Sequence, residues 1–133
     1  MRLVINCDGG SRGNPGPAAI GVVLRDTAGE EVATLSQAIG RATNNVAEYE
    51  AVIRGLERAL ELGATEVELV GDSELVAKQI TGEYRVKHAD MKPLHAKVVT
   101  LLAGMEEWSI RTVPRADNAD ADRLVNEALD ARS

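Results

Sequence analysis

Four carboxylates in this 133-residue sequence stand in settings that suggest chemistry rather than solubility: Asp8, Glu48, Asp72 and Asp122. Asp8 ends the short apolar run Leu3-Val4-Ile5-Asn6-Cys7 and is followed at once by Gly9, Gly10 and Ser11. An acid at the edge of a buried strand needs a cation, a hydrogen-bond donor or a task, because an unpartnered buried charge is costly. Carboxylates without cysteine or histidine beside them select hard cations, magnesium or manganese, and a carboxylate set of this composition is that of a two-metal phosphodiester site. The four acids are therefore expected to meet around divalent metal.

Each acid also has a structural role open to it. Glu48 follows Asn45 by three residues, close to a capping-box spacing. Its helical face argues otherwise: Val52 and Gly55 lie at i+4 and i+7, while Glu50, Arg54 and Glu61 take the wet side, so the carboxylate should point toward a sheet. Asp72 and Asp122 sit where the free amides of a helix N-terminus would stabilise any acid. Asp117 and Asp120 closely precede Asp122, and spacing alone does not choose among the three. Other chemistries fit less well. His88 and His95 fall in a basic segment, and Ser11 and Ser73 lack a local base for a nucleophilic triad. A zinc site lacks its cysteines and histidines. The single Cys7 excludes an intrachain disulfide and reads as a small core residue.

The elements that must position these acids follow from the pattern. Leu3 to Cys7 reads as a strand buried on both faces and ended by Asp8. The stretch GGSRGNPGP is a turn-rich link whose bare amides suit either a hairpin or close approach to a substrate. Residues 18–25 and 31–39 read as strands joined by a turn at Gly29, giving an antiparallel meander. Val46, Tyr49, Ile53, Leu56 and Leu60 recur at helical spacing up to Gly63. Residues 65–70 form a strand, and Asp72-Ser73 caps a helix through Ile80. A right-handed crossover would lay that strand parallel to the first, bringing Asp8 and Asp72 side by side at neighbouring carboxyl ends. Residues 91–105 are helical with Pro93 near the start, 108–113 form a last strand, and a closing helix from about Asn118 to Asp120 buries Leu124, Val125, Ala128 and Leu129.

The length predicts one domain over residues 1–133. A hydrophobic fraction of 44% with 27% charged residues argues against wholesale disorder. No signal peptide and no apolar span of membrane length is visible, so a cytoplasmic location and no membrane partner are expected. The net charge of −6 argues against a nucleic-acid partner when taken alone. Metal ions on the four acids would offset most of it, and Arg85, Lys87, Lys92 and Lys97 supply a basic window compatible with a phosphodiester substrate.

In motif order and spacing the chain resembles type 1 ribonuclease H, the prokaryotic ribonuclease HI family, from its first strand to its last helix. The resemblance is carried by CDGGSRGNPGPAAIGVV at 7–23, TNNVAEYEA at 43–51, GDSELV at 71–76 and ADRLVNEA at 121–128. It selects Asp122 over its neighbours, because Asp122 is the Asp of A-D-x-L. It implies an α/β ribonuclease H-like fold: a five-stranded mixed sheet, antiparallel meander plus parallel strands, with helices on both faces. It implies an endonuclease that hydrolyses the RNA strand of RNA–DNA hybrids to 5′-phosphate and 3′-hydroxyl products, acting as a monomer. The family's metal ligands fall on Asp8, Glu48, Asp72 and Asp122, around two Mg2+ or Mn2+ ions about 4 Å apart. Gly10, Ser11, Asn14, Asn44 and Asn45 are implied to face the hybrid's minor groove and sugars, with Thr43 near a DNA phosphate. Their neutrality fits shape reading without base reading.

Two departures matter. Many relatives insert a basic, Trp-rich handle where this chain has only Glu83-Tyr84-Arg85-Val86-Lys87, so hybrid affinity either falls or relies on Arg85, Lys87, Lys92 and Lys97. Many also carry a histidine before the closing helix, where this chain reads Pro114-Arg115-Ala116-Asp117-Asn118; Arg115 is the nearest candidate for an auxiliary role. The rival expectations are a same-fold nuclease for double-stranded RNA and a non-catalytic hybrid-binding module.

Overall fold

In the computed structural model, which describes residues 1–131, the first apolar run forms β1 (Arg2–Ser11), followed by β2 (Gly16–Arg25) and β3 (Glu31–Ala42). Then come α1 (Asn44–Glu61), β4 (Glu66–Gly71), α2 (Glu74–Thr81), α3 (Lys92–Ala103), β5 (Glu107–Thr112), a 3-10 turn (Arg115–Asn118) and α4 (Ala119–Ala131). The sheet order is β3-β2-β1-β4-β5, with β1–β2 and β2–β3 antiparallel and β1–β4 and β4–β5 parallel. The meander, the crossover and the five-stranded mixed sheet are as expected.

Asp8 does not end β1. The strand continues to Ser11, pairing Asp8 with Gly21 and Ser11 with Ala18, whereas the parallel ladder to β4 stops at Asn6–Val70. The Gly-Gly-Ser stretch carries no apolar signal, but backbone hydrogen bonds to β2 need none. Only Arg12 to Pro15 remain as the link, with a cis Asn14–Pro15 bond. Nor is β1 equally apolar on both faces. Leu3, Ile5 and Cys7 are buried, while Val4 and Asn6 on the opposite face are half-buried.

One face carries the main core, where Leu3, Ile5, Ile20, Leu24 and Leu69 pack with Tyr49, Ile53 and Leu56 of α1 and with Val98 and Leu102 of α3. Burying each large apolar side chain there contributes about 1.5–3 kcal/mol. Leu60, on the predicted apolar stripe of α1, is instead 39% exposed; Ala47, Val52 and Ala59 complete the inward face. The opposite face is covered by α4, whose Val125, Ala128 and Leu129 cluster with Ala19. Helices therefore lie on both sides of the sheet. Ser73 is the cap of α2, its hydroxyl accepting from the Val76 N–H at 3.2 Å, which leaves Asp72 free of that duty.

Candidate active site

The strand register brings the first two acids together. Asn6 stands opposite Val70 at the last rung of the parallel ladder, and two residues beyond each lie Asp8 and Asp72. The third acid arrives on α1, and a missing side chain lets it come close. A Cβ on Gly9 would lie 2.2 Å from the Ala47 carbonyl carbon and 2.6 Å from the Glu48 nitrogen, so the start of α1 rests against bare strand backbone. The Gly9 N–H then donates to Glu48 Oε1 at 3.1 Å, fixing the carboxylate beside Asp8. The capping-box alternative for Glu48 is not realised: Thr43 caps α1, accepting from the Val46 N–H.

Across the sheet, Gly21 is the ladder partner of Asp8. A Cβ there would meet the Ala121 carbonyl oxygen at 2.1 Å, so the first turn of α4 presses onto this glycine. That docking delivers Asp122 to the same cleft, where its charge helps to raise the Asp8 carboxyl, although Asp122 is not one of the three acids whose oxygens converge most closely. Asn118 anchors the segment: it is 2% exposed, donates to the Cys7 carbonyl at 2.8 Å and accepts from the Asn6 amide at 3.2 Å. Arg25 extends the anchor, donating to Asn6 at 3.2 Å and pairing with Asp120 at 2.7 Å. Asp120 is thus committed to structure, while Asp122 faces the other acids. Arg115 pairs with Asp122 at 3.0 Å.

Oxygens of Asp8, Glu48 and Asp72 all lie within 4.8 Å of one another. Opposite oxygens around a hard divalent cation held at about 2.0–2.6 Å are about 4–5.2 Å apart, so the spacing and the all-oxygen donor set fit such an ion. The electrostatics agree. Burial, reinforced by the charges of Asp72 and Asp122, raises the Asp8 carboxyl from 3.8 to about 7. Burial and the charge of Asp8 push Glu48 well up, against the Gly9 N–H, which favours its ionised form. Burial also raises Asp72, with Arg115 opposing. The Cys7 thiol behind them is pushed up by burial and by the charges of Glu48 and Asp8, which makes it inert. Several carboxylates held this close resist ionising together, and bound cations remove the conflict.

A cleft of about 460 Å³ opens over the cluster. Its lining includes Asp8, Glu48, Asp72, Asp122 and Arg115 together with Gly10, Ser11, Asn44 and Asn45 from the sequence expectation. Asn14 and Thr43 stand outside that lining. Asn14 accepts from the Asn44 backbone N–H at 3.0 Å, and Thr43 caps α1. Asn44 in turn accepts from the Ser11 N–H at 2.9 Å, tying the two loops into one wall. The cleft also includes Ser73, read from the sequence only as a helix cap and as a serine without a base, and Arg12 and Asn126, which were not singled out. A polar residue next to an acidic motif is the signal that could have found Asn126. The contacts of Asn118 depend on tertiary folding and left no local trace. The basic window does not join this cleft: Arg85, Lys87 and His88 line a separate groove with Tyr84, and Lys97 pairs with Glu57 at 3.5 Å.

Comparison with known proteins gives a family match, "Reverse transcriptase-like", over residues 6–128. The chain is 52% identical over 123 residues to ribonuclease HI of Halobacterium salinarum, covering 92% of this chain and 62% of that one. The crystal structure of the Halobacterium enzyme superposes with a TM-score of 0.96 at 50% identity, covering 98% of this chain and 99% of that chain. A bifunctional protein of Mycobacterium tuberculosis is 49% identical over 132 residues, covering 98% of this chain; the chain spans only 36% of that protein's length. An RNase H1 isolated from compost, solved in complex with an RNA/DNA hybrid, matches with a TM-score of 0.93 at 44% identity over 98% of each chain.

Proposed function

This chain belongs to the ribonuclease H family, and from that premise we propose that it is a metal-dependent endonuclease that hydrolyses the RNA strand of RNA–DNA hybrids to 5′-phosphate and 3′-hydroxyl ends. The observation that carries the reading is the convergence of Asp8, Glu48 and Asp72 to within 4.8 Å at the end of the parallel ladder.

Asp8, Glu48, Asp72 and Asp122 would hold two divalent ions, magnesium with manganese as the alternative. When bound, the ions supply Lewis acidity and charge neutralisation at the phosphodiester. The protein's own groups do the positioning. The Gly9 amide orients Glu48, and Arg115 steadies Asp122. Arg115 stands where many relatives carry a histidine, and a guanidinium does not deprotonate, so its part is fixed positive charge near the phosphate rather than proton transfer. Gly10, Ser11, Asn44 and Asn45 present neutral donors and acceptors suited to 2′-hydroxyls and groove shape. Asn14 supports Asn44 from behind. The Thr43 hydroxyl accepts from Val46 and keeps its own proton for a DNA phosphate. The reading takes residues 1–133 as one domain acting as a cytoplasmic monomer; among the described residues no helix is long and apolar enough to cross a membrane.

The test is cleavage of end-labelled duplexes of one sequence, presented as hybrid, double-stranded RNA and double-stranded DNA, with magnesium or with chelator. The reading predicts magnesium-dependent cuts in the RNA strand of the hybrid alone. Equal cutting of double-stranded RNA would reassign the substrate, and tight hybrid binding without any product would mark a binding module.

A further inference from the structure

The cleft carries four acids, and the nearest cation to them, Arg115, is already paired with Asp122. A phosphodiester backbone entering such a site needs positive charge elsewhere along its path. The other cation in the lining is Arg12. It follows β1 directly, about 13 Å beyond Asp8 at the usual rise per strand residue. Its guanidinium bonds to α4 and to none of the four acids, which suits a flanking phosphodiester rather than the one over the acids. Its main chain is fixed, the Arg12 N–H donating to the Pro17 carbonyl at 2.8 Å. Its guanidinium is parked on α4, 2.7 Å from Asp130 and 3.5 Å from the Asn126 side-chain oxygen. Both partners of the pair are open to solvent, with side-chain exposures of 47% and 70%. An ion pair so exposed is worth little and exchanges readily for a better anion. Arginine suits that exchange, since its planar fork binds phosphate oxygens in pairs.

We propose that Arg12 is a phosphate-binding residue for the nucleic-acid backbone next to the scissile position, and that Asp130 is its resident competitor, displaced when substrate enters. The inference rests on the hybrid-hydrolase reading and adds to it a contact made by this chain's β1–β2 link and α4.

The experiment measures binding of a fluorescent RNA–DNA hybrid by anisotropy at several salt concentrations, in an Asp8→Asn background so that the duplex stays intact. Arg12→Ala should weaken binding about three- to tenfold at low salt and reduce the slope of log affinity against log salt by about 0.9, one phosphate contact. Arg12→Lys should keep the slope. Asp130→Asn should tighten binding severalfold when Arg12 is present and have a much smaller effect in the Arg12→Ala protein. An unchanged affinity and slope for Arg12→Ala overturns the proposal, as does an Asp130→Asn gain of equal size with and without Arg12, which would be a general charge effect. If the Asp8→Asn parent binds hybrid no better than plain duplex DNA, the underlying substrate reading fails as well; if the parent binds well and Arg12→Ala is indifferent, only the Arg12 assignment falls.

Discussion

Asp8 is the residue on which the site's electrostatics turn. Its carboxyl is raised from 3.8 to about 7 by burial and by Asp72 and Asp122, so the folded, metal-free protein holds a proton there that the unfolded chain has lost. The sign follows from linkage: the folded state binds more protons between those values, so this contribution to stability is full below about pH 4 and is lost as pH rises through 7. Urea midpoints in chelator should therefore fall from pH 4 to 7 relative to those of Asp8→Asn, and saturating magnesium should reverse the trend. A midpoint that rises in parallel for both proteins would contradict it. Asp72→Asn removes one repelling charge and should stabilise the metal-free protein by roughly 0.5–2 kcal/mol while abolishing cleavage, read by thermal melts beside the hybrid assay. Asp8, Glu48 and Asp72 were legible because each sets a carboxylate against an apolar pattern, whereas Asp122 was separated from Asp117 and Asp120 only by its family motif. Arg12 and Asn118 were not legible, since an arginine in a glycine-rich link and an asparagine in a polar run look like solvated surface until α4 is seen against β1.

Elements deliver these residues through close backbone contacts. Gly9 and Gly21 are where α1 and α4 rest on β1 and β2, and an added methyl would meet main-chain atoms at 2.2 and 2.1 Å. Gly9→Ala or Gly21→Ala should cost about 3 kcal/mol or more, because neither helix can yield without moving an acid. Gly10→Ala, whose nearest neighbour would be a Val125 methyl at 3.6 Å, should be close to neutral in a melt. Asn118→Ala leaves the buried Cys7 carbonyl and the Asn6 amide without their partner and should cost about 1–3 kcal/mol. If Asn118 also positions Asp122, the same variant will need more magnesium for half-maximal cleavage, a change that lost stability alone would not produce. Periodicity revealed α1, β4 and the crossover. It misjudged the end of β1, because pairing with β2 runs on through Gly9 and Gly10 without apolar side chains, and it put Leu60 inward where Leu56 and Ala59 hold the buried face.

At the scale of the whole molecule the fold turns an acidic chain of net charge −6 into a candidate nucleic-acid enzyme by gathering acids from β1, α1, the β4–α2 junction and α4 into one cleft. The crossover was readable from strand, helix and strand in sequence and placed β4 beside β1, whereas the place of β5 beyond β4 was not read from the pattern. The separation of the Arg85–Lys87 groove from the cleft was not readable either, since charge runs say nothing about which face they will occupy. The central claim is that these four acids act as one metal-dependent unit on a hybrid. It is tested most directly by following cleavage of a labelled RNA–DNA hybrid against magnesium concentration for the unmodified protein and for Asp8→Asn. The account predicts RNA-strand products that appear only with magnesium and fall about a thousandfold in the variant, the several kcal/mol that metal-assisted charge stabilisation supplies. Cleavage undiminished by chelator, or equal in Asp8→Asn, would contradict it.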